Sequence, residues 1–270
     1  MDQGVHLLCS SSLCLEQALC YYLSGVQLFA VCVICPMILS LLGLFLCRRI
    51  IPSHFLRQSH DVTGPFFNTL GTVYGIFLAF VFSTTWQAYS TTQTNLVQEA
   101  RYLGNLYFGT KSMAQPMQGN VQQLLRGYRD SVLNDEWKSM ERGEASPKTQ
   151  QWLTQIGEAY MHATPDVSGG VFLSGWIQEL SSMVGLRASR LDASSSGLLP
   201  LLWFVLLTGA GAMIGFSFLF GAYNFKAQAV MTVLLTGVIS MTFYTIVSLD
   251  FPFTGATTIS SEPFRNLEMK

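Results

Sequence analysis

NTLGTVYGIFLAFVFSTTWQAYSTTQTNLVQEARYLGN, residues 68–105, is the stretch that decides the fold. Its first part, to about Trp86, carries no charge. It is long enough to cross a bilayer, which takes about 20 apolar residues. No Pro or Gly interrupts the run from Ile76 to Leu103, so one helix is expected to continue past the membrane surface into a polar region, to about residue 113. Small or polar residues recur along it at Asn68, Thr72, Gly75, Ala79, Ser83, Gln87 and Ser90. Spacings of three and four put them on one helix face. The remainder is bulky: Tyr74, Phe77, Leu78, Phe80 and Phe82. A small, polar face on a membrane helix either packs against another helix or lines water.

The composition agrees with a membrane setting. Half of the 270 residues are hydrophobic and 11% are charged, against about 25% in a soluble domain. The charges are also concentrated. Of the 31 charged residues (15 basic, 16 acidic), 19 fall between Glu99 and Asp192. The expected fold is an all-α membrane protein: four transmembrane helices with a helical extramembrane domain inserted between the second and the third. A net charge of −1 argues against a nucleic-acid partner.

Outward from the central stretch, residues 1–24 form an amino-terminal tail without Lys or Arg, with Tyr21 and Tyr22 suited to an interface. Residues 25–47 are the first span, with a kink expected at Pro36. A basic connection, 48–65, holds Arg48, Arg49 and Arg57. The second span is 66–86, with Pro65 expected in its first turn. Residues 87–197 form the polar domain, whose periodicity predicts helices over 121–142, 147–162 and 172–191. Within it Leu124, Leu125, Tyr128, Val132 and Trp137 share a helical spacing, as do Trp152, Ile156 and Tyr160. The third span is 198–223 and the fourth 229–249, followed by a carboxy-terminal tail, 250–270. Gly71-x-x-x-Gly75 and Gly211-x-x-x-Gly215 read as helix-packing signals.

Arginine and lysine near span ends favour the cytoplasmic side. Arg48, Arg49, Arg57 and Lys226 all fall in the two short connections. Both termini and the helical domain are then expected outside, which for a bacterial inner membrane means the periplasm.

Candidate chemical sites are few. His54 and His60 lie near Asp61, three possible metal ligands, but without fixed helical spacing a solvated mouth of the membrane region is the plainer reading. Cys32-x-x-Cys35 has redox spacing, yet it sits in an apolar run where cysteines act as small hydrophobes; Cys47 shares that run, while Cys9, Cys14 and Cys20 lie in the tail. His162 stands alone in the polar domain. Glu99, Asp130, Asp135 and Glu136 have Arg101, Arg126 and Arg129 as ion-pair partners in a solvated surface. No catalytic set, metal site or cofactor site is assembled, and no enzyme is expected. No ionisable residue lies mid-span, as coupled transporters usually require; a passive pore, gated by dewetting and attractive to anions at a helix N-terminus, needs none.

Several segments carry a resemblance: HDVTGPFFNTLGTVYGIFLAFVF with Trp86 and Tyr89; Glu99-Ala100; Glu136-Trp137 with Gly143; Arg190-Leu191 leading to LPLLW; and Leu249-Asp250-Phe-Pro-Phe-Thr-Gly with Ser260 to Phe264. Together they resemble the bestrophin-like membrane proteins of bacteria and plants. The last is the most specific, with Asp250, Pro252, Phe253 and Gly255 as its marks. The resemblance implies relatives of anion channels that form pentamers around their second helix. It implies constriction positions at Asn68, Thr72 and Ile76. Two of these are polar or small where the true bestrophins have large apolar groups. It also implies a cytoplasmic helical domain, whereas the arginine count puts that domain outside.

The expected function is an oligomeric ion channel, conducting anions passively through a pore lined by Asn68, Thr72, Ile76, Ala79 and Ser83. Its partners are the bilayer, further copies of itself and small inorganic ions. The alternative is a non-conducting membrane scaffold or sensor: the stripe buries against the first or third span, and the helical domain binds a partner.

Overall fold

A computed structural model describes residues 25–50, 60–161, 170–219, 224–255 and 257–269. The expectations on the amino-terminal tail with its three cysteines, on His54, Arg57 and His162 and on the end of the third span lie outside the described residues. Every regular element among the described residues is helical.

Helix α1 spans Gly25–Ile50. Pro36 has no N–H to give the helical ladder, and the chain adjusts just before it with a π-helical turn at Ala30–Ile34, closed by Cys35 N–H to the Ala30 carbonyl. Helix α2 is His60–Gly109, about 75 Å at 1.5 Å per residue, more than twice the bilayer's apolar thickness. It starts earlier than expected, so Pro65 lies inside it and not in its first turn. A proline there deletes one rung of the ladder close to the helix start, a loss the following 44 residues of helix absorb. Then come α3 (Met117–Ser131), a π-turn at Val132–Glu136, α4 (Trp137–Met140), α5 (Pro147–Met161) and α6 (Gly170–Ser195). The long apolar helices α7 (Pro200–Leu219) and α8 (Phe225–Asp250) follow, and the short α9 (Glu262–Arg265) comes last. Among the described residues four helices are long and apolar enough to cross a membrane: α1, α2, α7 and α8.

The chain forms two units. The first takes α1, α2 as far as Ala88, α7 and α8. Tyr74 and Val81 of α2 are buried here, Tyr74 with Ala210, Met213 and Ile239, and Val81 with Trp203, Leu206 and Ile246. Two close approaches set the packing. A side chain at Gly209 would run into the Tyr74 ring, and one at Gly43 would come within 2.9 Å of the Phe218 ring. The Tyr74 hydroxyl donates to the Leu206 carbonyl, 3.2 Å. At one end, Gln228 Nε2 donates to the carbonyls of Ser217 and Phe218 near the end of α7, and Gln228 Oε1 accepts from Arg48 Nε at 3.0 Å. An amide thus ties three helices together and satisfies helix-end carbonyls. At the other end the Asp250 carboxylate accepts the Leu198 N–H at 2.9 and 3.1 Å, an acid beside the start of α7 where the helix dipole favours one.

The second unit takes α2 from Tyr89, α3 to α6, and the chain from Phe251 onward. Its core holds Leu96, Leu103 and Leu106 of α2, Val121, Leu125 and Tyr128 of α3, Ile156 of α5, Met183 of α6, and Phe253 and Phe264 of the carboxy-terminal segment. Burying each large apolar side chain is worth about 1.5–3 kcal/mol. Gly127 allows the Trp152 ring to lie where a Cβ would be 2.7 Å away, which locks α3 against α5.

Candidate functional site

Helix α2 presents two opposed faces. Tyr74, Val81 and Thr85 are buried, and Leu78 is partly so. On the other side Asn68, Thr72, Ile76, Ala79 and Ser83 are all exposed, Ile76 by 68%. At 100° per residue the two sets lie on roughly opposite sides of the cylinder. The stripe is therefore not covered by α1 or α7, which was the arrangement the scaffold alternative required. Phe66, Val73 and Phe80, all exposed, border it on one flank. The Thr72 hydroxyl donates to its own helix at the Asn68 carbonyl, 2.8 Å, so it needs no partner from another helix. Beside the stripe, Gly75, Leu78, Ala79 and Phe82 form an open groove of about 370 Å³ with Met241, Thr242 and Thr245 of α8.

The glycines divide differently from the sequence expectation. Gly71 meets the Met213 methyl, where a Cβ would be 3.2 Å away, but nothing lies within 4 Å of a Cβ at Gly75, Gly211 or Gly215. Within the chain the close approach on α7 falls at Gly209. Spacing marks a smooth face and cannot tell which small residue faces a ring.

The second unit holds a cluster of charges that composition alone concealed. Glu99 and Glu136 are fully buried, Arg190 is 1% exposed and Arg187 5%. Arg190 Nε and Nη2 grip the Glu99 carboxylate at 2.7 and 2.9 Å. Nη2 also donates to Glu136 Oε2 at 2.9 Å, and Nη1 lies 3.0 Å from the Met140 sulfur. Arg187 holds the same Glu136 from the other side, Nη2 to Oε1 at 2.5 Å, and donates from Nη1 to Gln150 Oε1 at 2.7 Å. The Tyr128 hydroxyl donates to Glu99 Oε1 at 3.2 Å. Two arginines three residues apart share one face of α6. The π-turn at Val132–Glu136 inserts a residue into the ladder just where Glu136 turns inward. Trp137 and Phe264 close the cluster, each ring under 6 Å from the Arg190 guanidinium carbon.

Two charges of each sign neutralise one another there, as buried ions must. Burial by itself lowers the affinity of Arg190 for its proton, but the charge and hydrogen bonds of Glu99, with Glu136 behind, outweigh it and raise the pKa above the usual arginine value. Burial, then the Glu99 charge, pushes the Tyr128 hydroxyl well up, so it stays a neutral donor. The expected solvated surface, with Arg101, Arg126 and Arg129 as partners for these acids, is corrected at both glutamates. Arg129 pairs with its neighbour Asp130 and Lys148 with Asp135, while Arg126 donates to the Tyr107 hydroxyl. The arginine partners of Glu99 and Glu136 come from 51 to 91 residues further along the chain, a distance at which no spacing rule operates.

A family model for the Bestrophin-like domain matches residues 34–264. The chain belongs to the Bestrophin-like family. Two variants of a bacterial bestrophin homologue from Klebsiella pneumoniae have the same fold, each 13% identical, with TM-scores of 0.66 and 0.67; they cover 87% and 88% of this chain and 98% of their own. A third structure of that homologue, 12% identical, covers 86% of this chain and 94% of its own with a TM-score of 0.65. No curated protein matches the chain. The apolar helices and this kinship make the Bestrophin-like chain an integral membrane protein.

Parts of four of the segments that carry the resemblance lie at the buried cluster. Glu99, Glu136, Trp137, Arg190, Phe253 and Phe264 are neighbours in the second unit, with Trp137 and Phe253 edge to face at 5.8 Å. Phe251, Pro252, Phe253 and Thr254 are buried, the Ile259 N–H donates to the Pro252 carbonyl at 2.8 Å, and Gly255 turns the chain at φ +82°, where glycine is favoured. Asp250 takes the separate task of holding the start of α7 in the first unit. Among the described residues no group of three or more His, Cys, Asp or Glu side chains is placed to hold a metal. Cys32, Cys35 and Cys47 are free thiols.

Proposed function

We propose that this Bestrophin-like protein is an oligomeric ion channel whose pore is lined by the α2 stripe of Asn68, Thr72, Ile76, Ala79 and Ser83. One observation carries the reading. Tyr74, Val81 and Thr85 of α2 are buried inside their own chain, while the stripe on the opposite side of the helix is left uncovered. Lipid gives such a face nothing. Copies arranged around it would turn it toward water, with Phe66, Val73 and Phe80 on the flank available for contact between copies or with lipid. The family resemblance makes five the expected number and anions the expected ions. On this reading the second unit is the extramembrane helical domain, inserted between the second and third spans. Its side of a bacterial inner membrane, periplasmic by the arginine count, is part of the same proposal. The glycine face Gly211-x-x-x-Gly215, open within the chain, is available to a neighbouring copy. No enzymatic activity is proposed.

Single-channel recording of the purified protein tests this, with Asn68→Leu and Thr72→Trp as variants. Both should change or abolish conductance while the particles keep their mass and melting temperature. Wild-type currents unchanged in both would remove the pore from α2. A monomer in mild detergent, silent in bilayers, would bring the scaffold reading forward.

A further inference from the structure

Between Pro65 and Gly109 helix α2 carries two charged residues, Glu99 and Arg101. Glu99 is fully buried and neutralised by Arg190. Arg101 is exposed and makes no ion pair among the described residues; its guanidinium rests over the Tyr102 ring at 5.6 Å. It is therefore the one charge that α2 offers to solvent between Pro65 and Gly109. Counting at 100° per residue, Arg101 falls within about 60° of Asn68, Thr72, Ile76, Ala79 and Ser83, and about 160° from Glu99. Thr94 and Gln98, exposed and uncharged, lie on the same side.

We propose that Arg101 determines which ions the protein admits, drawing small inorganic anions and repelling cations; this rests on the channel reading of the α2 stripe. Each copy would add one guanidinium at a position that follows the helical spacing of the stripe. Glu99, the acid next to it on α2, is buried and already neutralised by Arg190. Because charge rings focus the local potential and concentrate counter-ions, one arginine per copy suffices. A guanidinium is a weakly hydrated cation, and the preference rests on its charge. It would fade with salt, since the screening length shrinks from about 10 Å at 0.1 M to about 3 Å at 1 M.

The test is reversal-potential measurement under a potassium chloride gradient, on the full chain in planar bilayers. The variants are Arg101→Gln, Arg101→Glu and Arg101→Lys. The anion-to-cation permeability ratio should fall about tenfold in Arg101→Gln, move further toward cations in Arg101→Glu, and stay near wild type in Arg101→Lys. Arg101→Glu current with wild-type selectivity overturns the proposal. So does break-up of the oligomer in Arg101→Gln and Arg101→Glu, which would make Arg101 an ion-pair partner between copies. A silent wild-type protein brings down the channel reading and this proposal together, whereas conducting variants of unchanged selectivity bring down this proposal alone.

Discussion

Arg190 places two of its nitrogens on carboxylates and the third beside a sulfur, with no water-facing side. Removing it leaves Glu99 and part of Glu136 charged, buried and unanswered. Truncating one member of such a cluster costs about 3–5 kcal/mol. Arg190→Met is therefore expected to lower the melting temperature of the detergent-purified protein sharply or to prevent folding, and Arg190→Lys to rescue only part, since lysine cannot make the paired grip. Asp130→Ala, which removes the exposed partner of Arg129, is expected to stay within about 0.5 kcal/mol. Equal melting curves for Arg190→Met and Asp130→Ala would refute the assignment. The pH sign follows from the direction of the shift. A pKa raised on folding gives stability that is fully present below the unfolded arginine value and lost only as pH rises through the folded one. Arg190 itself thus adds no slope to stability between about pH 5 and 9. A milder effect is expected at Asp250. Asp250→Ala frees the Leu198 N–H at the start of α7 and should cost about 1–2 kcal/mol, and Asp250→Asn less, because an amide oxygen still accepts that bond. Thermal unfolding followed by helical circular dichroism measures both.

Helix α2 is assigned without a break from His60 to Gly109, and the element scale is where sequence and structure agree best. The positions 68, 72, 79 and 83 were legible as one face because helical spacing needs no knowledge of neighbours. Four apolar helices were legible for a similar reason, since charge is excluded from hydrocarbon whatever the tertiary arrangement. What spacing could not supply was the partner of each face. Gly211 and Gly215 form the better motif, yet Gly209 takes the ring of Tyr74. Glu136 looked solvent-facing on a regular helix, and a π-turn rotates it into the core. Pro36 was legible as a disturbance, but its form, a widened turn at Ala30–Ile34, depends on neighbouring packing. The glycine difference is testable. Gly209→Val drives two methyl groups into Tyr74 and should destabilise by about 1–3 kcal/mol. Gly211→Ala has open space and gains helix propensity, so it should be neutral or slightly stabilising in the isolated chain. Paired melting curves in detergent decide it; a larger loss at Gly211 than at Gly209 would place the close contact elsewhere.

The whole molecule leaves a great deal of surface without a partner, and the kinds of surface differ. The outer sides of α1, α7 and α8 expose Ile38, Leu42, Phe204, Leu207, Leu234 and Val238, side chains that suit hydrocarbon. The α2 stripe exposes an asparagine, a threonine, an alanine and a serine beside Ile76; the Thr72 hydroxyl bonds to its own helix, but hydrocarbon offers the Asn68 amide no partner. Water reaches both kinds equally in a lone chain, so only the assembled protein in a bilayer tells them apart. Single cysteines at Asn68, Thr72, Ile76, Ala79 and Ser83, in a chain whose six native cysteines are replaced, provide that measurement. A charged, membrane-impermeant thiol reagent should react at these positions and reduce the current. It should spare Tyr74→Cys and Val81→Cys, which face the interior of their own chain, and Leu234→Cys, on the apolar outer side of α8. The modified positions should recur every three or four residues. Reaction at Val81 as fast as at Ser83 would mean that α2 turns a different face to water in the membrane. Silence along the stripe with intact particles would mean that another copy or lipid covers it, and the pore would have to be sought on a different helix.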